Sequence, residues 1–311
     1  MNIRPCPRRV FLSGLIMLML LAAPALRASA EGLLDRTPRI AVVSAFEPEW
    51  TMLRSELQDA AEHEINGRSF VTGKLAGKDV VLFLSGVSMV NAAMNTQIAL
   101  DRFSLTAIVF SGIAGGVDPS LHIGDVVIAD RWGQYLEAVF ARETPAGFAI
   151  PPWMEKDDFA GHGMIIPRAL EVTAKDKPSE RRFWFASDPG LIAIARTVAA
   201  GLDLAYCAED KTCLRNKPKV IVGGNGVSGQ AFVDNAGFRE YVWATFRAQV
   251  LDMESAAVAH VAYANGVPFL AVRSLSDLAG GDGGANEMMT FMALASRNSA
   301  TVVKAILGEM P

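Results

Sequence analysis

Carboxylates stand at three places where an otherwise apolar chain gives no evident reason for them. The stretch "VLDMESAAVAH", residues 250–260, opens an apolar segment, yet Asp252 and Glu254 sit at its mouth. "VPFLAVRSLSD" ends in Ser276 and Asp277, and "RIAVVSAFEPEW" runs into Glu47 and Glu49. A buried, unpaired carboxylate is costly, so these groups must find partners or line a cleft. Carboxyl groups that converge on a cleft can serve as general acid and general base, where apolar surroundings let one hold its proton near neutral pH. Other catalytic sets are missing. The four histidines, His63, His122, His162 and His260, show no HExxH spacing, and no G-x-S-x-G elbow accompanies them. This argues against a zinc enzyme and a Ser–His–Asp hydrolase. Each carboxylate also has a plain structural explanation. Glu49 can be a first-turn helix acid, Asp277 a helix N-cap, and Met253 a core residue. Glu254, after an apolar strand, is harder to explain that way.

The elements that must position these groups alternate along the chain. "RIAVVSAF" reads as a strand and "EPEWTMLRSELQDA" as a helix with an acidic first turn. "DVVLFLSG" is a strand, "SMVNAAMNTQIALDRF" a helix, and "LTAIVFSGIAGG" a strand entering a glycine loop. "GDVVIADRW" and "PKVIVGGNGVSG" read as further strands. "AVAHVAYANGVPFLAVRSLSD" reads as helix, glycine turn and buried strand, and "EMMTFMALASRNSATVVKAIL" closes the chain as a helix. This pattern predicts a single-domain α/β fold of three layers over residues 38–311, a mixed sheet flanked by helices. Residues 135–217, with Pro151, Pro152, Pro167 and Pro178, read as insertions and loops over that core. In such sheets ligands collect beyond the carboxyl ends of the strands, where the polar and glycine residues here cluster.

Residues 1–30 have a basic start, an apolar run of about ten residues and a small-residue Ala28-Ser29-Ala30 site. That is the layout of a cleaved secretory signal, and the run is short for a membrane span. "RRVFL" resembles a twin-arginine export signal; ordinary Sec export is the simpler alternative. The mature chain is therefore expected in the periplasm or outside the cell, with no membrane attachment. Removing Arg4, Arg8, Arg9 and Arg27 leaves 25 basic and 33 acidic residues, a net charge of −8. No basic run suits nucleic acid. Cys207 and Cys213 remain, with five residues between them. In an oxidising compartment they could close a small disulfide loop; otherwise they are two thiols.

Six pieces, "VVSAFEPEW", "SGVSMVNAA", "FSGIAGGVDPSLHIGDVV", "VSGQAFV", "LDMESAAVAHVA" and "VPFLAVRSLSD", occur in one order. In that order the chain resembles the methylthioadenosine/S-adenosylhomocysteine nucleosidases of the nucleoside phosphorylase superfamily. The resemblance implies hydrolysis of an N-glycosidic bond in an adenosine-type nucleoside, with no cofactor or metal and a homodimer. It makes Glu49 the residue that directs and deprotonates water, and Asp277, oriented by Ser276, the acid that protonates purine N7. It makes Glu254 the ligand of the ribose hydroxyls, with Met253 against the sugar. Phe232 would stack on the base, the backbone of Val233 would read its edge, and Ile113, Ala114 and Gly115 would line the pocket. Asp252 is expected to face away, as a backbone partner or a surface group.

The chain departs from the family pattern in places. "SGQAF" carries Gln230 in place of a carboxylate, Met288 stands where an aromatic residue meets the 5′-thio group, and "RWGQYLEAVFARETPAGF" has diverged where a dimer partner completes the pocket. The insertion around Cys207 and Cys213 is similar to the exported, plant-storage-like branch. Two alternatives follow: a phosphate-dependent purine nucleoside phosphorylase, and an exported nucleoside-binding or storage protein without turnover. The loops "AFEPEW" and "SGIAGGVDP" carry no arginine for phosphate, which favours water.

Overall fold

Strand β1 (Asp35–Ser44) sets the plan. Side chains alternate across a strand, so Ala41 and Val43 enter one apolar core while Ile40 and Val42 enter another on the opposite face. The computed structural model describes residues 32–281 and 283–311; the expected signal segment lies outside them. Helix α1 (Glu47–Ser55) follows β1, then a meander of β2 (Gln58–Ile65), β3 (Arg68–Leu75) and β4 (Lys78–Leu84), helix α2 (Met89–Arg102) and the long β5 (Phe103–Gly116). Next come β6 (Val126–Ile128) and β7 (Arg131–Gln134), and then short strands β8 (Ala138–Phe140), β9 (Arg142–Thr144), β10 (Gly147–Ala149), β11 (Ile165–Pro167), β12 (Leu170–Ala174), β13 (Lys177–Arg182) and β14 (Trp184–Ala186). Helix α3 (Pro189–Ala199), β15 (Val220–Val222), β16 (Asn225–Ser228), helix α4 (Ala236–Phe246), β17 (Ala248–Asp252), helix α5 (Ser255–Asn265), β18 (Phe269–Asp277) and helix α6 (Met288–Glu309) complete the chain.

Twelve strands form one mixed sheet, ordered β14-β7-β16-β17-β5-β1-β4-β3-β2, with a branch in which β18 pairs with β5, β6 with β18 and β15 with β6. Strand β5 is the hub. It pairs in parallel with β1 and β18, and its last residues meet β17 antiparallel. Helices α2 and α5 bury Met89, Ala92, Ala99 and Ala256–Ala259 on one face. Helices α1, α3 and α6 bury Trp50, Leu53, Leu191 and Val302–Leu307 residues on the other. Three layers therefore form, as the alternation of apolar strands and helices predicts. Helix α5 stops at Gly266, whose φ of 69° is the left-handed cap that glycine adopts without strain.

Several elements differ from the sequence-based expectation. "GDVVIADRW" and "PKVIVGGNGVSG" each split in two. The splits occur at one level: Gly223 N–H donates to Ile128 and Asp130 N–H to Gly224. Gly223 and Gly224, with φ of 128° and 79°, let the chain step from the β6 branch to the β7–β16 pair. The β2–β3 hairpin and helices α3 and α4 are additional to the expected elements. The 135–217 region is more ordered than loops: it forms three small two-stranded sheets, and β14 extends the main sheet. Cys207 and Cys213 face each other across an antiparallel bridge with their sulfurs in contact. No described helix is long and apolar enough to cross a membrane.

Candidate active site

The carboxyl ends of β1, β5, β16, β17 and β18 open onto a cavity of about 220 Å³. Its walls include Glu49, Ile113, Ala114, Gly115, Phe232, Val233, Met253, Glu254, Ser276, Asp277 and Met288. Every pocket residue expected from the sequence is thus at one place. The sequence reading missed Ala45, Phe46, Val87, Ala231 and Leu251, which form the apolar remainder of the wall, and Asp252, expected to face away, also borders the cavity. Phe46 and Val87 lie inside the quoted "AFEPEW" and "SGVS" motifs, so their positions were the available signal.

Glu49 is fixed because the chain turns there from β1 into α1. Its Oε2 accepts the Ala45 N–H at 2.5 Å, and its Oε1 the Ile113 N–H of β5 at 2.8 Å. Burial pushes its pKa up, and Arg273 and these N–H groups oppose the shift. Glu254 stands where β17 gives way to α5. Its Oε1 accepts the Ser88 N–H at 2.7 Å, just ahead of α2. Burial first, then the negative charge of Asp252, push its pKa up to about 8, against Arg273 and the Ser88 N–H. Asp277 ends β18. Its Oδ1 accepts the Ala279 N–H at 2.8 Å and its Oδ2 the Ser276 hydroxyl at 3.0 Å. Burial again raises the pKa, so this carboxyl keeps its proton to higher pH than a solvated aspartate. Phe232 leaves half its surface open to the cavity mouth, whereas Val233 is buried.

Two sequence expectations need correction. Asp252 does not sit at the surface. It is buried, accepts the Ser228 and Ser255 hydroxyls and the N–H groups of Glu254 (3.2 Å) and Ser255 (3.1 Å), and pairs with Arg273 at 2.7 Å. The backbone half of that expectation matches these contacts; the surface half fails because a buried arginine stands beneath it. The search for an arginine in the loops also missed Arg273, because it comes from inside β18. Its signal was a lone cation within the apolar run "VPFLAVRSLSD".

Arg273 organises the floor of the site. It is fully buried, with its guanidinium carbon 4.0 Å from the centre of the Phe110 ring. Its Nε donates to the Ser255 hydroxyl at 2.9 Å. Its Nη1 lies 3.8 Å from Glu49 Oε1 and its Nη2 3.7 Å from Glu254 Oε2, and neither nitrogen has a hydrogen-bond partner among the described residues. Buried polar groups almost always have one. Gly112 makes room, since a Cβ there would fall 2.0 Å from Nη1 and 2.5 Å from Glu49 Oε1.

The chain is similar to known proteins along most of its length. Residues 39–308 match the model of the phosphorylase superfamily. A 5′-methylthioadenosine/S-adenosylhomocysteine nucleosidase of Halalkalibacterium halodurans is 31% identical over 275 residues, covering 88% of this chain and 99% of that protein. The nucleosidase of the same name from Tolumonas auensis is 30% identical over 273 residues, 88% of this chain and all of the other. Among solved structures, the S-adenosylhomocysteine nucleosidase of Streptococcus pyogenes in complex with 5-methylthiotubericidin aligns with a TM-score of 0.65 at 26% identity, covering 91% of this chain and 99% of that one. The Colwellia psychrerythraea nucleosidase in complex with adenine aligns with a TM-score of 0.66 at 27% identity, covering 87% and 95%. The chain belongs to the phosphorylase superfamily and, within it, to the 5′-methylthioadenosine/S-adenosylhomocysteine nucleosidases.

Proposed function

We propose that the protein hydrolyses the N-glycosidic bond of adenosine-type nucleosides of the 5′-methylthioadenosine and S-adenosylhomocysteine class and releases adenine. The observation that carries this reading is the convergence of three buried carboxyl groups, Glu49, Glu254 and Asp277, on one cavity beside Phe232. Breaking such a bond needs a nucleophile at C1′ and an acid at the leaving base, through an oxocarbenium-like transition state. Water attacks C1′ and gives its proton to Glu49, whose raised pKa makes it the stronger base. The C1′–N9 bond breaks with its electron pair passing to the purine, and Asp277 delivers its proton to N7. Glu254 accepts a hydrogen bond from the ribose hydroxyls, which becomes charge-assisted once its own proton has left. Exchange with solvent then returns the proton on Glu49 to bulk and reprotonates Asp277. The walls of Phe46, Val87 and Met288 suit an apolar 5′ substituent.

Water fits the acceptor position better than phosphate. The cavity wall carries no lysine or arginine, and Arg273 behind it is already flanked by Glu49, Asp252 and Glu254. A phosphate dianion would meet carboxylates at short range. Adenine release from methylthioadenosine should proceed equally with and without phosphate and yield free 5-methylthioribose. A sugar 1-phosphate product overturns the hydrolytic reading, and no turnover at all favours the binding-protein alternative.

The same reading makes the protein an exported homodimer with a Cys207–Cys213 disulfide. Val90 and Met94, 68% and 45% exposed, continue outward on α2 from Val87 at the cavity mouth and offer an apolar face for a second copy. Sedimentation should give a dimer that Val90→Glu dissociates; a monomeric wild type removes the claim. Cell fractionation should place the protein, without residues 1–30, outside the cytoplasm. Thiol titration of the unfolded, unreduced mature chain should find no free thiol, and finding two refutes the disulfide.

A further inference from the structure

Ala279 makes two backbone hydrogen bonds that join parts of the site distant in sequence. Its N–H donates to Asp277 Oδ1 at 2.8 Å, and its carbonyl accepts the Asn235 N–H at 3.0 Å. Asn235 stands two residues after Val233 and caps α4, where its Oδ1 accepts the Phe238 N–H at 2.8 Å. One residue thus holds the acid at one end and the base-contacting segment at the other. Ala279 is fully buried, in the same apolar cluster as Val233 and Leu251.

The backbone makes this corner by an unfavourable route. Ala279 has a φ of 53°, in the left-handed region that residues with a side chain seldom enter. Gly280 follows with a φ of 85°, and a Cβ there would fall 2.4 Å from the Asn235 nitrogen and 2.7 Å from the Asp234 carbonyl carbon. Glycine alone lets the two backbones come so close. Conformations of this kind persist where the surroundings enforce them, and they gather at functional sites. A second tie reaches the same segment. Asn286 Nδ2 donates to Asp234 Oδ1 at 3.1 Å, and Asn286 Oδ1 accepts the Met288 N–H at 2.9 Å, where α6 begins and Met288 enters the cavity wall.

We propose that the Ala279–Gly280 corner is a positioning element for the acid step: it fixes the Asp277 carboxyl relative to the Phe232–Val233 segment against which the purine lies, so that the proton is aimed at N7. This rests on the reading of Asp277 as the acid. The purine is held by one segment and protonated from another, and the two are far apart in the chain. An acid works only within hydrogen-bond reach of the atom it protonates. A link made through the backbone of one buried residue has no side-chain torsions through which that distance can drift.

Because the corner serves protonation, its effect depends on the leaving group. Adenine departs readily from C1′ only as N7 takes a proton. p-Nitrophenolate departs as its anion with the electron pair of the C1′–O bond, while water attacks C1′ and gives its proton to Glu49. The test compares kcat/KM on methylthioadenosine and on the p-nitrophenyl glycoside of 5-methylthioribose. Gly280→Ala pushes the corner off Asn235 and should lose on the order of 10²-fold on methylthioadenosine. On the phenyl glycoside it should stay within several-fold of wild type. Gly284→Ala, where a Cβ meets open space and φ is not positive, is the control and should match wild type on both. An equal loss on both substrates overturns the proposal, because a merely structural defect does not distinguish leaving groups. Full activity on methylthioadenosine overturns it too. Should Gly280→Ala fail to fold, Asn286→Ala loosens the second tie without added bulk. It should show the same selectivity at about tenfold, and its absence is equally fatal. Asp277→Asn is measured alongside. If it is selective for methylthioadenosine and the corner variants are not, this inference alone falls. If it stays fully active on methylthioadenosine, the assignment of the acid falls first.

Discussion

Arg273 Nε stands 2.7 Å from Asp252 Oδ2, and the two side chains expose 0% and 2% of their surface. This pair is the keel of the site. Asp252 anchors the guanidinium and, through the Glu254 N–H, the turn that presents Glu254. The guanidinium in turn reaches toward Glu49 and Glu254, which come from opposite ends of the chain. One buried cation thus brings together carboxylates that would otherwise repel one another.

Removing one partner of a buried ion pair leaves the other uncompensated, at a typical loss of about 3–5 kcal/mol. Asp252→Ala should therefore lower unfolding stability by that order and reduce turnover as well. Denaturant unfolding with an activity assay checks both. A midpoint equal to that of the wild type would mean that water reaches Arg273.

Asp277→Asn and Glu49→Gln keep shape but remove the proton donor and acceptor. Each should lower kcat by about 10²–10⁴-fold while a non-hydrolysable nucleoside analogue still binds. Calorimetric titration of the analogue separates the two effects. Near-full activity in Asp277→Asn would sink the acid assignment.

Gly112→Ala tests the tight contact over the floor of the site. No positive φ is required at Gly112, so any effect comes from the added methyl, which would overlap Arg273 Nη1 and Glu49 Oε1. Displacing the water-directing carboxylate by about an ångström should cost on the order of 10²-fold in kcat. Gly201→Ala, where a Cβ meets open space, is the control and should match wild type. Equal rates for both variants would show that the floor can yield.

The raised pKa of Glu254 predicts a pH-dependent stability. Folded, Glu254 holds its proton up to about 8, against an ordinary value of 4.5. Between these values the folded state binds more protons than the unfolded one, so its contribution to stability is complete below 4.5 and is lost as pH rises toward 8. Glu254→Gln does not titrate. The difference in Tm, variant minus wild type, should become steadily more positive from pH 4.5 to 8. Thermal unfolding across that range measures it, and a constant difference contradicts the shift.

Much of this protein is legible in its sequence. The period of two in "RIAVVSAF" and the unbroken apolar run of "VPFLAVRSLSD" report strands buried on both faces. The glycine and polar residues that follow such strands mark the end of the sheet where a cleft forms. Glu49, Glu254 and Asp277 stand out because a charge beside an apolar run needs a reason. Those are local signals, fixed by which neighbours a residue has along the chain. The role of Arg273 is of another kind. Its guanidinium meets Phe110 of β5, Asp252 of β17, Glu254 and Glu49, and only the pairing of β5 with β18 and β17 brings these together. The same holds for Asp252, which reads as an exposed neighbour of Met253 until the sheet closes over it, and for Asn286, which lies in a glycine-rich connection and becomes informative once it reaches Asp234 and the start of α6. The sequence determined the strands, the cleft end of the sheet and the carboxylates at it. The tertiary structure decided which charges face one another, because electrostatic partners are set by distance through space and not by separation along the chain.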